Sequence, residues 1–530
     1  MAGGTESGGL SRSCILIIVV ASVERFAYKG VASNLVTYLT DVAKLNTSSA
    51  AKNVNSWCGV TSMLPLLGAF LADSYWDRYS TILVSSLLYI VGLASLTVSA
   101  LLWAFTPINK TIFEAALFSS LYLISMAQGG YNPCLQAFGA DQLEKEDQHL
   151  PCSRKENENI EKKSKFFQWW YFGICSGSLM GVTLMSYIQD NFGWGWGFAI
   201  PTIGMALSAI CFSCGTHLYV RKKTKVTEQP TEAMVHSIKE TVKKAVRGRI
   251  RLSPKEEEVA ELELQDKPLI DAFPTTESSF DEGVNKEEPR LIDARVILKL
   301  LPVWTMLLMF AVIFQQPATF FTKQGMAMKR NIGNNFMIPP ATLQSAITIS
   351  IILLMPLYDK AIIPALRMIT GNEKGINVLQ RMGIGMLLSV VAMVVAALVE
   401  TKRIDMSRKG EAVPLSIFWL LPQYILLGVS DVFTVVGMQE FFYTQVPTRM
   451  RSIGIGLYLS VFGVGSFLSA LLITVIELIT TSGGNECSWF SDDMREARLD
   501  NYYWLLALSG SICLMSFISL CKHCTNESCK

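Results

Sequence analysis

Twelve apolar stretches, each long enough to cross a bilayer as a helix, decide what this chain can fold into. They lie near residues 14–40, 54–73, 80–105, 111–137, 166–189 and 196–218, then 294–322, 337–358, 376–399, 414–443, 451–478 and 499–521. A spanning helix needs about 20 consecutive apolar residues, because each residue rises only ~1.5 Å across a hydrocarbon layer of ~30 Å. Half of the 530 residues are hydrophobic and 17% are charged, against roughly 25% charged in an average soluble chain. The expected fold class is therefore all-α and membrane-embedded. A net charge of +2 argues against nucleic acid as a partner, since phosphate backbones select strongly basic surfaces. The twelve cysteines are scattered, mostly within apolar runs, and imply no disulfide framework. No cleavable leader is expected, because the first run carries Glu24-Arg25 and continues beyond it.

Between residues 219 and 293 the chain turns polar, with Arg221-Lys222-Lys223, Lys243-Lys244 and Glu256-Glu257-Glu258. Six spans, a linker and six spans are the outline of a transporter with two related halves and a midplane site between them. The expected boundaries are a cytosolic N-terminus at 1–13, a first bundle at 14–218, the linker at 219–293, a second bundle at 294–521 and a cytosolic tail at 522–530. Lys and Arg favour the cytosolic side of such proteins. This places Arg78, Lys155, Lys162-Lys163, the linker, Lys360, Arg367, Arg449 and Arg451 inside, while Lys402-Arg403 and Arg408-Lys409 count against that orientation. Two glycosylation triplets, Asn46-Thr47-Ser48 and Asn109-Lys110-Thr111, fall on the opposite side. Gly173, Gly177 and Gly181 recur at every fourth position, the small-residue spacing that lets membrane helices approach closely.

Charges inside a membrane-length helix are costly and mark function by default. Glu24 and Arg25 share one helical face with Ala21 and Tyr28. Arg25 is the candidate anion clamp, since a guanidinium stays ionised and binds oxyanions in a fork. Glu24 is either a protonatable group or a fixed ionised partner of Arg25. Other interior polar groups are Asn132, Gln136, Gln315-Gln316, Asp431 and Glu440. The expected substrate-binding set is Arg25, Tyr28, Asn132, Gln136 and Gln316, with Glu24 and Asp431 as proton-coupling candidates. Asp431 can alternatively bond Lys323 across helices. Tyr38, Trp170, Tyr171 and Tyr424 line the path or pack the core. Only four histidines exist, none inside a span except His217 at a span end. No nucleophile–base, metal or phosphate-loop constellation is evident, so no enzyme activity and no cofactor are expected.

Several long motifs carry a resemblance. Ser22-Val23-Glu24-Arg25-Phe26-Ala27-Tyr28-Lys29-Gly30 resembles the first-helix motif of the proton-coupled oligopeptide transporters, a branch of the major facilitator superfamily. Gly68-Ala69-Phe70-Leu71-Ala72-Asp73-Ser74-Tyr75-Trp76-Asp77-Arg78-Tyr79 is similar to their signature after helix two. Phe138-Gly139-Ala140-Asp141-Gln142, the run from Trp169 to Leu179, the run from Pro422 to Tyr443 and Met450-Arg451-Ser452-Ile453-Gly454 resemble further signatures in the same order. The plant nitrate/peptide transporter branch is the nearest likeness. It implies a major facilitator fold of twelve helices in two six-helix halves, with Asp73 and Arg78 as gating residues. Three departures stand out. The family's first Glu in helix one is Ala21, its Lys in helix four is Asn132, and its Glu in helix ten is Asp431. Loss of one member of a buried charge pair is costly, whereas loss of both is often near neutral. The seventh-helix histidine of a nitrate-transporting member of that branch has no counterpart in Ile313-Phe314-Gln315-Gln316.

The resemblance implies a secondary transporter of a small anionic solute, nitrate first, with proton coupling weakened or rerouted. Alternatives are a proton symporter of di- and tripeptides or of hormone-like organic anions, and a nutrient-sensing receptor with little transport. Expected partners are the anion, protons and the bilayer. Glu287-Glu288-Pro289-Arg290-Leu291-Ile292 fits an acidic dileucine sorting signal, which invites sorting adaptors and tilts the expected location toward the vacuolar membrane rather than the plasma membrane. The tail cysteines Cys521, Cys524 and Cys529 invite zinc or palmitate, or remain plain thiols.

Overall fold

A computed structural model describes residues 11–74, 77–105, 109–142, 166, 169–219, 289–332, 336–357, 368, 377–408, 415–446, 451–482 and 489–527. The chain divides into one compact unit of Met1–Lys225 with Pro302–Lys530 and a second of Val226–Leu301. Everything below concerns the first, apart from residues 289–301 at the start of one helix.

Its first half contains α1 (Arg12–Ala32), α2 (Leu35–Asp41), α3 (Thr47–Ser74), α4 (Arg78–Phe105) and α5 (Lys110–Asp141). Two further helices complete it, α6 (Trp169–Phe192) and α7 (Trp194–Cys214). The second half contains α8 (Pro289–Ile313), α9 (Phe320–Met326), α10 (Ser345–Leu357) and α11 (Val378–Arg408). It ends with α12 (Leu421–Thr444), α13 (Arg451–Ser482) and α14 (Leu499–Glu527). Among the described residues ten helical spans are long and apolar enough to cross a membrane. The α1–α2 pair and α3 make twelve. α1 falls short of that apolarity because it carries Glu24, Arg25 and Lys29 within its length.

Each half has its own apolar core. One cluster joins Ile17, Leu35, Tyr89, Leu121, Tyr131 and Phe198. The other joins Ile313, Phe321, Met393, Tyr424, Leu427 and Tyr502. The outward faces carry exposed apolar side chains such as Leu87, Phe105, Leu207, Leu353 and Ile479, as expected where lipid rather than water is the solvent.

The two halves meet along α3 and α13. Gly59 faces the Phe467 ring, Gly463 faces Met63, and Asn55 donates to the Ser469 hydroxyl (3.0 Å). At the end where α2 and α6 finish and α3 begins, ionic contacts bind the halves. Lys52 pairs with Glu477 (2.7 Å), whose other oxygen accepts from Ser48 (2.7 Å). Asp492 accepts from the Thr47 backbone N–H (2.7 Å), Lys323 pairs with Asp41 (3.6 Å) and donates to the Thr40 hydroxyl, and Arg330 pairs with Asp190 (3.8 Å). Among the described residues every ion pair between the halves lies at this end, remote from Arg12, Arg78 and Asp141.

Several expectations about elements are revised. The first span is two helices, and at the break Ser33 and Asn34 bond Ser186 and Asp190 on α6 (3.5 and 3.2 Å). The seventh span breaks at a 3-10 turn, Gln316–Ala318, where Pro317 removes a helical donor. A short antiparallel pair, Asn331–Ile332 with Phe336–Met337, follows it and had no signal in the hydropathy. α11 runs on to Arg408 rather than ending near 399. There Glu400 and Arg403 form a buried pair (2.6 Å), and Lys402 lies over the Trp419 ring at 3.9 Å. Of the cations that opposed the expected orientation, Arg403 is thus held inside the fold, while Lys402 stays exposed. The sorting motif begins outside the described residues, and its Pro289 opens α8.

Candidate functional site

α1 is seated against α6 by the glycine stripe. A Cβ on Gly173 would meet Ser22 Oγ and Ile18, one on Gly177 the Ser22 carbonyl, and one on Gly181 the Phe26 carbonyl. Backbone-to-backbone approach of this kind needs residues without side chains. At Gly181–Met185 the helix takes a π turn, a feature that often marks functional sites. On the other side, Gly68 and Gly129 let α3 and α5 meet closely, which sets Gln128 and Asn132 toward α1.

Four donors converge on Glu24, whose surface is 1% exposed. Gln128 Nε2 donates to Oε1 (2.8 Å) and the Tyr89 hydroxyl donates to the same oxygen (3.4 Å). Arg25 Nε lies 3.2 Å from Oε2. The Asn132 amide, oriented to satisfy both neighbours, donates to Oε2 (3.2 Å) and accepts from Arg25 Nη2 (2.9 Å). An acceptor-only carboxylate suits such a shell. Of the two readings open at the sequence level, this geometry favours Glu24 as the fixed partner of Arg25.

Arg25 is held on one edge only. Nε and Nη2 are occupied by Glu24 and Asn132, and the guanidinium carbon sits 5.8 Å from the Tyr28 ring centroid. Nη1 has no bonded partner among the described residues, and the side chain remains 26% exposed. Tyr28 in turn packs on Trp57 at 5.6 Å. A pinned guanidinium with one free N–H edge has the geometry of an oxyanion clamp.

One turn along α1 from Arg25, on the same face, stands Lys29, half-buried. Facing it from the second half are Asp431 on α12 and Tyr458 on α13. Lys29 and Asp431 act on each other electrostatically, and the Tyr458 hydroxyl feels both Asp431 and Arg25. Ser430 bonds the Gly385 carbonyl (2.6 Å), so α12 is anchored to α11 beside the acid. Asp431 does not meet Lys323, which turns to Thr40 and Asp41 instead.

The remaining expected residues scatter. Gln136 is exposed one turn beyond Asn132. Gln316 belongs elsewhere: it is 0% exposed, bonded to the Val312 carbonyl (3.0 Å) and the Tyr502 hydroxyl (3.4 Å). The 3-10 turn after Ile313 rotates it into the second core, a rotation that a continuous helix would not have made. Glu440 pairs with Arg381 (3.3 Å) within its own half. Arg78 is half-buried at the start of α4, while the Asp73 side chain, with residues 75 and 76 of the proposed gate, lies outside the described residues. Tyr38 and Tyr424 are core residues, whereas Tyr171 is partly exposed. The reading from sequence passed over Lys29, Gln128, Tyr89 and Tyr458. Gln128 was detectable as the residue one turn before Asn132, and Lys29 as a third charge in the same span. No cluster among the described residues has the composition of a metal site.

Known proteins resemble this chain in sequence and in fold. The model of the POT family, PTR2, matches residues 79–490. Protein NRT1/PTR family 5.9 of Arabidopsis thaliana is 54% identical over 99% of this chain and 97% of its own. NRT1/PTR family 5.10 of the same plant is 42% identical over 98% and 93%. Among solved structures, an auto-inhibited POT family peptide transporter superposes with a TM-score of 0.68 at 20% identity, covering 95% of this chain and 96% of that one. A peptide transporter POT in complex with sulfate gives 0.68 at 16% identity, covering 99% and 96%. At these identities the solved structures speak for the fold.

Proposed function

This chain belongs to the POT family of membrane transporters, and from that premise we propose that it carries a small anionic solute, nitrate first, between two compartments by alternating access. The observation that carries the reading is Arg25. Its guanidinium is fixed on one edge by Glu24 and Asn132 and open on the other. An oxyanion meeting that edge gains charge-assisted hydrogen bonds without having to order the side chain first. Transport then consists of exchanging the closed end. The ion pairs that now join the halves at the α2–α3 end would release as the opposite end closes around the site.

Proton coupling is weaker here than the resemblance implies, or takes another route. Ala21 is buried in the first core, and the neutral Asn132 amide bonds both Glu24 and Arg25 without adding a charge. A second reading has its own support. Arg25 and Lys29 on one wall and Asp431 on the other suit a solute bearing both a carboxylate and an ammonium, as a di- or tripeptide does. The vacuolar membrane remains the proposed location, on the strength of the dileucine motif.

Flux into proteoliposomes tests the reading. Purified protein should move labelled nitrate, or in the second reading a labelled dipeptide, at a rate that saturates. Binding of either without flux would instead identify a receptor.

A further inference from the structure

A groove of about 390 Å³ lies between the halves where the π turn of α6 meets the short strand pair. Leu184 on one wall and Phe336 on the other are exposed apolar side chains. Phe192 on α6 and Ile349 and Leu353 on α10 continue that exposed apolar surface to either side, so the groove opens where hydrocarbon is the solvent. Its wall is apolar as well. Tyr187 stacks on Phe336 at 5.8 Å, and the lining hydroxyls of Thr183 and Thr342 donate to the Leu179 and Pro339 carbonyls (2.7 and 2.6 Å).

The strand register puts a cation on the same side. Asn331 pairs with Met337 and Ile332 with Phe336, and the Ile338 N–H donates to the Arg330 carbonyl (3.0 Å). Alternate residues of a strand share a face, so Arg330 stands on the face of Phe336 and Ile338, which line the groove. Arg330 Nη1 lies 3.8 Å from Asp190, which follows Tyr187 by three residues toward the end of α6. The two side chains are 25% and 21% exposed, and their separation is longer than a hydrogen bond, so each has room for a further partner. An apolar groove therefore ends in a cation and an anion, one from each half. We propose that this groove binds a membrane phospholipid with a primary-amine headgroup of the ethanolamine type, its acyl chain lodged between α6 and the strand pair. The phosphate meets the Arg330 guanidinium, which suits oxyanions, and the ammonium donates to Asp190. A choline headgroup has no N–H to offer Asp190, and a phospholipid without an amine sets its phosphate against that carboxylate. The bound lipid touches both halves at the end where ion pairs already join them, so its occupancy favours the conformation seen here. The inference does not depend on the identity of the solute.

Photolabelling tests the site without any transported solute. Full-length protein is placed in choline-lipid nanodiscs containing a small fraction of an ethanolamine phospholipid with a diazirine in its acyl chain. Label should concentrate on Thr183–Tyr187 and Phe336–Thr342, and unlabelled ethanolamine lipid should compete several-fold better than added choline lipid. Thr342→Trp, which fills the groove, should lower that labelling several-fold, whereas Ile349→Trp on the neighbouring exposed face should leave it unchanged. Arg330→Gln should weaken labelling, and Asp190→Asn, which alters no packing volume, should erase the preference for ethanolamine over choline. Label spread evenly over the exposed apolar surface would show surrounding bilayer only and overturn the site. Equal competition by the two lipids in the unmodified protein, or a preference that survives in Asp190→Asn, would overturn the headgroup assignment. Groove labelling unchanged in a folded Thr342→Trp protein would overturn the acyl position, and should that variant not fold, Asp190→Asn decides alone. Failure here leaves the anion clamp standing, because Arg25 is tested by flux.

Discussion

Asn132 shows how much a single amide settles. It completes the shells of Glu24 and Arg25 at once, donating to one and accepting from the other. Asn132→Leu keeps the volume and removes both bonds, so a buried carboxylate and a guanidinium each lose a partner, at about 1–3 kcal/mol per unsatisfied group. The expected result is a lower melting temperature in detergent together with weaker anion affinity. Asn132→Lys alone sets two cations on one carboxylate and should destabilise further. Adding Ala21→Glu should recover that stability and steepen the pH dependence of flux, whereas an unchanged profile in the double variant would show that these positions do not govern coupling. At this scale the sequence was informative about Glu24, Arg25, Asn132 and Asp431, because charged and amide groups inside an apolar run announce themselves. It misplaced Gln316 because the break at Pro317 rotates one residue from cavity to core, and hydropathy does not register rotation.

At the level of elements, the approach of α6 to α1 decides where the clamp sits. Gly177 faces the Ser22 carbonyl with no room for a methyl group, while a methyl on Gly204 would find Val23 at an ordinary 3.7 Å. Gly177→Ala should therefore cost about 1–3 kcal/mol through overpacking and reduce transport by displacing the turn that carries Glu24 and Arg25. Gly204→Ala should be close to neutral in both melting temperature and flux. The glycine spacing was visible in sequence as a close-packing signal, and its partner helix was not. The broken first span, the π turn and the short strand pair escaped the reading for a related reason. The break in the first span goes with a partner distant in sequence, Asp190 for Asn34, and neither the π turn nor the four-residue strand pair leaves a mark in hydropathy.

For the whole molecule, two cores joined at one end by ion pairs describe one state of a two-state device. The pairs are partly buried and few, so the lock is the sum of several separate contacts. Lys52→Met with Glu477→Gln should shift the population several-fold toward the state open at the α2–α3 end, read as faster labelling of a cysteine introduced at Asn55. The six–linker–six plan and the fold class were legible because a bilayer leaves few alternatives to helices of membrane length. Which end is closed was not legible, since the ion pairs join residues hundreds of positions apart. The central claim is that one pinned guanidinium captures the solute, and the direct measurement is initial uptake of labelled solute by proteoliposomes containing Arg25→Ala or Arg25→Lys. Arg25→Ala should lose transport while remaining folded, and Arg25→Lys should retain a fraction with weakened affinity, because an ammonium keeps the charge without the fork. Uptake by Arg25→Ala at the rate and affinity of the unmodified protein would contradict the account.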